Sequence, residues 1–214
     1  MSGCCGPDEY AKVFTPRRAR RAVRRYLDRG LGGTAGDLAR AVAETGIDSA
    51  TVIEVGGGAG TIQVELLRRG AASAVNIELS PNWEVPAAEL ADETGVSDRV
   101  TRRVGDFVGI APTLEAADVV VLHRVVCCYP DWKAMLDASA RLADRVVAVT
   151  FPLDRWWVRW YIRVGNLLIG ATGSTFRAFV HPAAPMLGVL ADAGFTAAHD
   201  RKGGGWRTVV LAKR

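Results

Sequence analysis

The chain has 214 residues, a formal net charge of +4 and a pI of about 9.1. This length suits one α/β domain with a sizeable core, and we expect a single domain over residues 1–214. No charge-free apolar run is long enough to span a bilayer, and the first residues lack the apolar region of a signal peptide. We therefore expect a cytoplasmic protein without stable membrane insertion. Arginine greatly outnumbers lysine and alanine is abundant, as in a GC-rich genome, so the basic pI gives little support to an acidic partner.

Residues 1–50 are predicted to form a helical arm in front of a core over residues 51–214. Residues 1–15 show little periodicity, which indicates an irregular segment. From Pro16 apolar residues recur at helical spacing, with arginines on the other faces. These arginines fit either a nucleic-acid-binding arm or a solvated amphipathic helix. We favour the solvated helix, and expect no nucleic-acid partner, because no stacking aromatic residues are interleaved with the arginines. The apolar stripe consists of Ala19, Ala22, Val23, Tyr26 and Leu27.

A second arm helix is predicted at residues 37–45. It is followed by a short apolar strand, Thr51–Val55, that runs into a glycine-dense turn and a helix starting at Thr61. Glycine has no Cβ, so this turn brings backbone very close to a ligand. The helix N-terminus adds free N–H groups and the positive end of its dipole. We therefore expect a ligand with a carboxylate, a phosphate or ribose hydroxyls.

Two ligand classes compete for this turn. A dinucleotide site needs glycines at the first, third and sixth positions, but the sixth position counted from Gly56 is Thr61. The alternative pattern, acid-x-Gly-x-Gly-x-Gly, is matched in full by Glu54, Gly56, Gly58 and Gly60. It resembles motif I of class I S-adenosylmethionine (SAM)-dependent methyltransferases. The resemblance implies SAM as the cofactor, S-adenosylhomocysteine (SAH) as its product and these four residues in the cofactor site. The acid suits the ammonium group of SAM.

The next predicted strand, Ala74–Glu78, ends in an acid. A carboxylate at this strand end can accept hydrogen bonds from both ribose hydroxyls of a nucleoside. The alternative is a surface acid at a strand end, but the matched glycine turn favours ribose binding. We include Glu78 and the adjacent Leu79 in the cofactor site.

After a helix at residues 86–93, a short strand at Val100–Val104 leads to Gly105, Asp106 and Phe107. This step resembles the place where methyltransferases hold adenine. The resemblance implies that Asp106 accepts a hydrogen bond from the exocyclic amine and that Phe107 covers the ring.

The most apolar predicted strand is Ala117–Leu122, which we place at the centre of the sheet. Ligands of open α/β sheets lie beyond the carboxyl ends of the strands, so the loop after this strand should face the transferred methyl group. The loop resembles methyltransferase motif IV. His123 is a candidate for cofactor or acceptor contact, and the alternative is a strand-end histidine bonded to backbone. Tyr129 and Asp131 are further catalytic candidates in this loop.

The four cysteines form two adjacent pairs, Cys4-Cys5 and Cys127-Cys128. Neighbouring cysteines bridge each other only with strain, so we expect free thiols. The C-x-x-C spacing of a zinc site is absent, and no metal is expected.

An aromatic and arginine-rich insertion is predicted at residues 151–181. Its helix, at residues 154–169, places arginines every four residues along one face. Three roles remain open: a lid over the acceptor pocket, a peripheral membrane helix, and a dimer or packing helix. Arg177 and His181 follow it as further catalytic candidates. The aromatic residues of this helix are Trp156, Trp157, Trp160 and Tyr161, and its arginines are Arg155, Arg159 and Arg163.

A strand at residues 145–150, a helix at 183–193 and a hairpin of Phe195–His199 with Trp206–Leu211 complete the prediction. The fold class is therefore α/β, a Rossmann-like seven-stranded methyltransferase sheet that ends in an antiparallel hairpin.

Two narrower resemblances concern the acceptor. Tyr129-Pro130 and the run Phe176–His181 look like parts of magnesium-protoporphyrin O-methyltransferases. The chain also looks like actinobacterial small-molecule methyltransferases of natural-product pathways, some of which methylate thiols. The favoured function is S-methylation of a natural-product dithiol, and the alternative is O-methylation of a carboxylate or hydroxyl. A homodimer is possible.

Methyl transfer needs a nucleophile held near the methyl carbon. A thiolate or carboxylate needs little help from a base, whereas a phenol or amine needs one. The candidate bases are His123, Tyr129, Asp131 and His181, and Arg177 is the candidate partner for an acidic acceptor. Two other functions were weighed: an NAD-dependent reductase, disfavoured by Thr61, and a non-catalytic SAM-binding or RNA-binding module.

Overall fold

The computed structural model describes residues 6–213, so the Cys4-Cys5 pair lies outside the described residues. The arm contains three helices, α1 (Pro7–Val13), α2 (Pro16–Arg29) and α3 (Gly33–Ala43). The expectation of an irregular segment at residues 1–15 was therefore wrong for α1. This helix is under two turns long, too short for a periodic pattern, and starts with a proline followed by two acids, which suit a helix N-terminus.

The arginine-rich helix α2 begins and ends as its sequence indicates. The Thr15 side chain accepts a hydrogen bond from the Arg18 N–H, which caps the first turn. Gly30 ends the helix with φ of 67°, a conformation that glycine adopts without strain. Three residues of the predicted stripe are buried, whereas Leu27 at its end is 37% exposed. The stripe is Ala19, Val23 and Tyr26 in the core, with Ala22 half-buried.

The sheet has seven strands in the order β3-β2-β1-β4-β5-β7-β6. Neighbouring strands among β1 to β5 pair in parallel, and β7 pairs antiparallel with both β5 and β6. The predicted fold class is confirmed, and β4 is the central strand as expected. The strands are β1 (Thr51–Val55), β2 (Ser73–Glu78), β3 (Val100–Val104), β4 (Ala117–His123), β5 (Ala143–Pro152), β6 (Phe195–Gly203) and β7 (Trp206–Lys213).

Two hydrophobic clusters cover the two faces of the sheet, because successive side chains of a strand point to opposite faces. In β4, Val119 and Val121 join one cluster, and Val120 and Leu122 join the other. The first cluster packs against α2 to α5 and the second against α6, α7 and α9. The helices after β1 are α4 (Thr61–Arg68), α5 (Glu84–Glu93), α6 (Phe107–Ile110), α7 (Trp132–Leu142), α8 (Trp156–Ala171) and α9 (Ala183–Asp192).

Helix α8 is the least buried of the larger elements. Only Val158 among its side chains is buried, and Trp156 is 81% exposed. Within residues 6–213, no helix combines the length and the hydropathy needed to cross a bilayer.

Candidate functional site

The glycine turn after β1 lies at the carboxyl end of the parallel strands. Gly56, Gly58 and Gly60 have φ of 60°, 57° and 79°, values that L-residues with a Cβ rarely adopt. The Gly56 N–H donates to the Ile77 carbonyl oxygen over 2.7 Å, which ties the turn to β2. Gly60 is the N-cap of α4. The turn therefore holds its backbone close to the space above the strand ends.

Glu78 fixes this turn from the neighbouring strand. Its Oε2 accepts from the Gly58 N–H and its Oε1 accepts from the Ser80 N–H, each over 2.9 Å. The side chain is only 6% exposed, and burial raises the pKa of its carboxyl group against the lowering effect of these bonds. Each carboxylate oxygen has a second lone pair, so hydroxyl groups of a ligand can still donate to it. Sequence reasoning placed Glu78 at the strand end but missed that it also clamps the turn.

Glu54 lies beneath the turn rather than beside a ligand. It is 2% exposed, and its Oε2 accepts from the Gln63 N–H over 3.1 Å. A Cβ placed on Gly57 would be 2.7 Å from the Glu54 Cδ, so the acid packs directly against the turn. This placement does not support the expected contact between Glu54 and the ammonium group of SAM. Its geometry instead joins the turn to the first turn of α4.

Burial raises the pKa of Glu54 to about 8, so the folded protein holds it protonated at neutral pH. A carboxyl group with a raised folded-state pKa stabilises the fold below its unfolded pKa of about 4.5, and this contribution is lost as the pH rises through 8. The uncharged isostere Glu54→Gln avoids that loss. We expect the stability of the variant relative to wild type to increase between pH 5 and pH 8, by at most about 1.4 kcal/mol per pH unit. Urea unfolding of both proteins at several pH values measures this difference, and a pH-independent difference would contradict it.

A cleft of about 180 Å³ opens above the turn and is called the cofactor cleft below. Trp83 covers the turn, since a Cβ on Gly58 would be 3.3 Å from its indole ring. The arm closes another side, where Phe14 lies with its ring centroid 6.4 Å from that of Trp83. The Asn82 side chain holds the arm in place by donating to the Phe14 carbonyl oxygen over 2.9 Å. The lining residues are Tyr10, Phe14, Gly56, Gly58, Glu78, Trp83, His123, Arg124, Val125 and Cys128.

Asp106 and Phe107 are not arranged as the adenine-binding step implied. Asp106 is the N-cap of α6, and its Oδ1 accepts from the Val108 N–H over 3.2 Å. Its Oδ2 accepts from the Tyr129 hydroxyl over 3.1 Å. Phe107 is 3% exposed and packs in the second hydrophobic cluster, so its ring does not face the cofactor cleft. The expectation that Phe107 covers adenine is therefore not supported, because the apolar ring is buried in the core. Leu79, also predicted for this site, is half-buried beside Glu78.

His123 is the catalytic candidate that lines the cofactor cleft. Its Nε2 lies 3.0 Å from the Thr34 Oγ1 of α3. Burial, together with the positive charge of Arg124, lowers the pKa of His123 to about 3. The imidazole is therefore neutral throughout the physiological pH range. A histidine with such a low pKa is a weak base, since the strength of a general base follows its pKa.

The remaining catalytic candidates have structural partners. Asp131 caps α7, where its Oδ1 accepts from the Ala134 N–H over 3.0 Å; this exposed cap is not placed as a base in the cleft. The His181 Nε2 lies 3.0 Å from the Tyr129 carbonyl oxygen, and burial lowers the pKa of this histidine. Arg177 donates to the carbonyl oxygens of Ser174 and Phe176 over 3.0 and 2.7 Å.

Arg177 also lines a shallow pocket along α8 that is separate from the cofactor cleft. The structure therefore brings together the glycine turn, Glu78 and His123, and it leaves Asp131 and Arg177 outside the cleft. Tyr129 and His181 are not among the residues that line the cleft.

A second cavity, of about 500 Å³, adjoins the cofactor cleft and is called the acceptor cavity below. Phe14, Arg124 and Cys128 line both spaces, so the two spaces meet at these side chains. The wall on the α8 side is formed by Trp157 and Tyr161. The other lining residues are Cys127, Pro152, Val158, Ile162, Phe176, Ala178, Gly204, Gly205 and Trp206.

Comparisons with known proteins agree with this geometry. Residues 53–145 match the family model described as a methyltransferase domain. The chain carries a methyltransferase domain. The prediction of a class I SAM-dependent methyltransferase is thereby confirmed, with SAM as the methyl donor. No curated protein sequence matches the chain.

Several solved methyltransferase structures share the fold. Magnesium protoporphyrin IX methyltransferase from Synechocystis PCC 6803, solved with bound SAH, is 19% identical, with a TM-score of 0.69 over 97% of this chain and 94% of that one. An O-methyltransferase family protein from Burkholderia thailandensis is 19% identical, with a TM-score of 0.71 over 96% of this chain and 62% of that one. Human N-acetylserotonin methyltransferase, solved with SAM, is 16% identical, with a TM-score of 0.63 over 96% and 59% of the two chains. At these identities the likeness shows the fold.

The second cysteine pair of the methyltransferase lies at the border of the two spaces. The sulfur atoms of Cys127 and Cys128 are 3.9 Å apart, and neither cysteine is in a disulfide. The contact with Cys128 lowers the pKa of Cys127. Among the described residues, no cluster of three or more histidine, cysteine, aspartate or glutamate side chains is placed to hold a metal ion.

Sequence reasoning missed several residues of this methyltransferase site. Arg124, Val125 and Trp83 had no motif of their own, and Trp206 was only a strand residue. Tyr10 and Phe14 of the arm line the cofactor cleft with Gly56, which lies 42 or more positions further along the chain, and nothing in their spacing predicts this contact. Such contacts join segments that are distant in sequence, so only the packing of the arm onto the sheet brings them together.

Proposed function

We propose that this methyltransferase binds SAM in the cofactor cleft and transfers its methyl group to an apolar small molecule in the acceptor cavity. The observation that carries the proposal is the shared border of the two spaces at Phe14, Arg124 and Cys128. A donor in one space and an acceptor in the other would meet there. Apolar walls with few polar groups are typical of small-molecule sites.

Within this proposal Glu78 accepts hydrogen bonds from the ribose hydroxyls, as acids at the same strand end do in nucleotide-binding sheets. The glycine turn holds the methionine part of the donor, and the first N–H groups of α4 lie on the same side. Glu54 and Asp106 act by holding the turn and α6, and Leu79 and His123 complete the cofactor side. The proposed cofactor contacts are Gly56, Gly58, Gly60, Glu78, Leu79, Trp83 and His123.

Methyl transfer from SAM is an in-line displacement. A lone pair of the acceptor forms the new bond to the methyl carbon, the bond from that carbon to the sulfonium sulfur breaks, and its electron pair remains on the sulfur of SAH. The protein accelerates this step by holding the nucleophile about 3–3.5 Å from the methyl carbon. Trp157, Tyr161 and Trp206 line the acceptor cavity, and the faces of such aromatic rings attract a cation such as the sulfonium group.

The acceptor proposed here reacts as an anion formed before the transfer, either a carboxylate or the thiolate form of a thiol. His123 is held neutral with a pKa of about 3 and is a poor base, and Asp131 caps a helix outside the cleft. A thiolate or a carboxylate needs no proton removed during transfer, whereas a phenol does. We keep a thiol as the favoured acceptor, in line with the resemblance to natural-product methyltransferases. O-methylation of a carboxylate is the second candidate, favoured by the exposed cation Arg124 at the border of the two spaces.

The division of the chain is also a proposal. Residues 1–50 would act as an arm over the cofactor side, since Tyr10 and Phe14 line the cleft. Residues 151–181 would form one wall of the acceptor side, since α8 supplies Trp157 and Tyr161 to the cavity. The outward aromatic face of α8 leaves a homodimer open, and a location in the cytoplasm remains a prediction.

Calorimetry with SAH and a methyl-transfer screen test this function. We expect SAH to bind at micromolar or lower concentration, and radiolabel from SAM to pass to apolar thiols or carboxylates in preference to phenols. Absence of heat with SAH would refute the cofactor site. Binding of SAH with transfer only to phenols or amines would refute the proposed acceptor class while leaving the cofactor site intact.

A further inference from the structure

Arg124 follows directly after β4 in an unusual backbone conformation. Its φ is 58°, and Ser49 is the only other non-glycine residue with positive φ in the described part of the chain. This conformation costs about 1–2 kcal/mol for an L-residue, and such strain is concentrated at functional sites. The Arg124 N–H donates to the Thr150 carbonyl oxygen over 3.0 Å, which fixes the strained residue to the end of β5.

The guanidinium of Arg124 stacks on Trp206 at the start of β7. Its Cζ lies 4.2 Å from the centroid of the Trp206 ring. This stacking occupies a face of the planar guanidinium and leaves its N–H groups, which point outward in the plane, able to donate. Within residues 6–213, no hydrogen bond or salt bridge from this guanidinium to a carboxylate is formed.

Two acids share a cavity with Arg124, and both have other partners. Glu78, in the cofactor cleft, accepts from the Gly58 and Ser80 N–H groups, and Asp37 pairs with other side chains. Arg124 and Asp37 both line a third cavity, of about 550 Å³, between α3 and the β6-β7 hairpin. The Asp37 Oδ1 accepts from Arg40 over 2.7 Å and from Arg201 over 2.8 Å. Its Oδ2 lies 3.3 Å from the His199 Nε2. Arg124 therefore has no internal counter-ion there.

Arg124 is an exposed residue, and its guanidinium pairs with no carboxylate in the described part of the chain, so its N–H groups are available to a ligand. A bound carboxylate would supply the missing charge, and its two oxygens match the parallel N–H groups of a guanidinium. Arg124 lines the cofactor cleft, the acceptor cavity and the third cavity. An anion bound to it would thus lie close to the place where donor and acceptor meet.

We propose that Arg124 binds a carboxylate or similar anionic group of the acceptor, which makes the acceptor an apolar acid rather than a neutral molecule. This inference rests on the proposed function. The carboxylate of SAM itself is a second source of the same chemistry, but Trp206, on which the guanidinium stacks, lines the acceptor cavity and the third cavity and not the cofactor cleft. The glycine turn and α4 offer the donor carboxylate its own N–H groups.

The test compares two probes of one shape, naphthalene-2-carboxylate and naphthalene-2-carboxamide, by calorimetry in the presence of saturating SAH. Wild type should bind the carboxylate about 10- to 100-fold more tightly than the amide, as expected for charge-assisted hydrogen bonds of about 1.5–3 kcal/mol. Arg124→Met should bind the two probes alike and keep its SAH affinity within about twofold. Arg124→Lys keeps the charge without the paired N–H geometry and should retain part of the preference.

Three outcomes would overturn the assignment. The first is equal binding of the two probes by wild type, and the second is a preference for the carboxylate that survives in Arg124→Met. The third is a loss of SAH affinity in Arg124→Met, which would show that Arg124 binds the methyl donor. The wild-type comparison stands even if a variant fails to fold. Absence of SAH binding by wild type would instead refute the proposed function, and it is measured separately in the same titration series.

Discussion

Replacing Glu78 with glutamine is expected to weaken SAH binding by about 100-fold. The carboxylate accepts from the N–H groups of Gly58 and Ser80 with different oxygens. An amide has one oxygen, so its NH₂ group would face one of these N–H donors or the ribose hydroxyls. Loss of one charge-assisted hydrogen bond, with an N–H donor then facing another donor, corresponds to about 3 kcal/mol. Calorimetry with SAH measures the change.

The matched control for this substitution is Glu93→Gln, which removes an acid from an exposed position at the end of α5. Its SAH affinity should stay within about twofold of wild type, since exposed charges are screened by solvent. Unchanged affinity in Glu78→Gln would remove Glu78 from the cofactor site. An equal loss in both variants would show that overall charge, rather than this carboxylate, governs binding.

Replacing Gly56 with alanine is expected to destabilise the protein by about 2–5 kcal/mol and to abolish SAH binding at ordinary concentrations. The φ of Gly56 is 60°, and a Cβ there would lie 2.5 Å from the Val125 Cγ2. The added methyl group therefore adds backbone strain and a steric clash, and it pushes Val125 into the cofactor cleft that both residues line. Urea unfolding and calorimetry with SAH measure the two effects.

Gly95 provides the control, because its φ is 68° and a Cβ there would have no atom within 4 Å. Gly95→Ala should therefore show the backbone strain alone, about 1–2 kcal/mol, with SAH affinity unchanged. If Gly56→Ala were no less stable than Gly95→Ala, the close approach of the turn to Val125 would be refuted.

The sequence predicted the sheet well because its signals are local. The strands Thr51–Val55 and Val100–Val104 have the predicted bounds, and the glycine turn follows the first of them as expected. The central place of β4 follows from its apolar run, and the antiparallel hairpin at the C-terminus follows from residue patterns a few positions long. Helix α1 was missed, since seven residues are too few to show a helical period.

The candidate site was also predictable from the sequence only in part. A strand-end acid such as Glu78 is recognisable from its position after the glycine turn. The sequence does not show whether the side chain of such an acid points into a cleft or lies beneath a turn. Glu54 is buried against Gly57, and Phe107 packs into the second hydrophobic cluster. Both placements depend on how strands and helices pack around them, which motif spacing does not encode.

The sequence by itself determined the succession of strands and helices along the chain and the glycine turn, because hydrophobic periodicity and glycine spacing act over a few residues. The class of cofactor followed from the resemblance of this turn to a methyltransferase motif. Only the tertiary structure decided which side chains surround the acceptor. Phe14 of the arm, Arg124 after β4, Trp157 of α8 and Trp206 of β7 line one cavity, although they are far apart in the chain. These side chains meet because the arm and α8 fold over the carboxyl ends of the strands, and such contacts between distant segments leave no pattern in the local sequence.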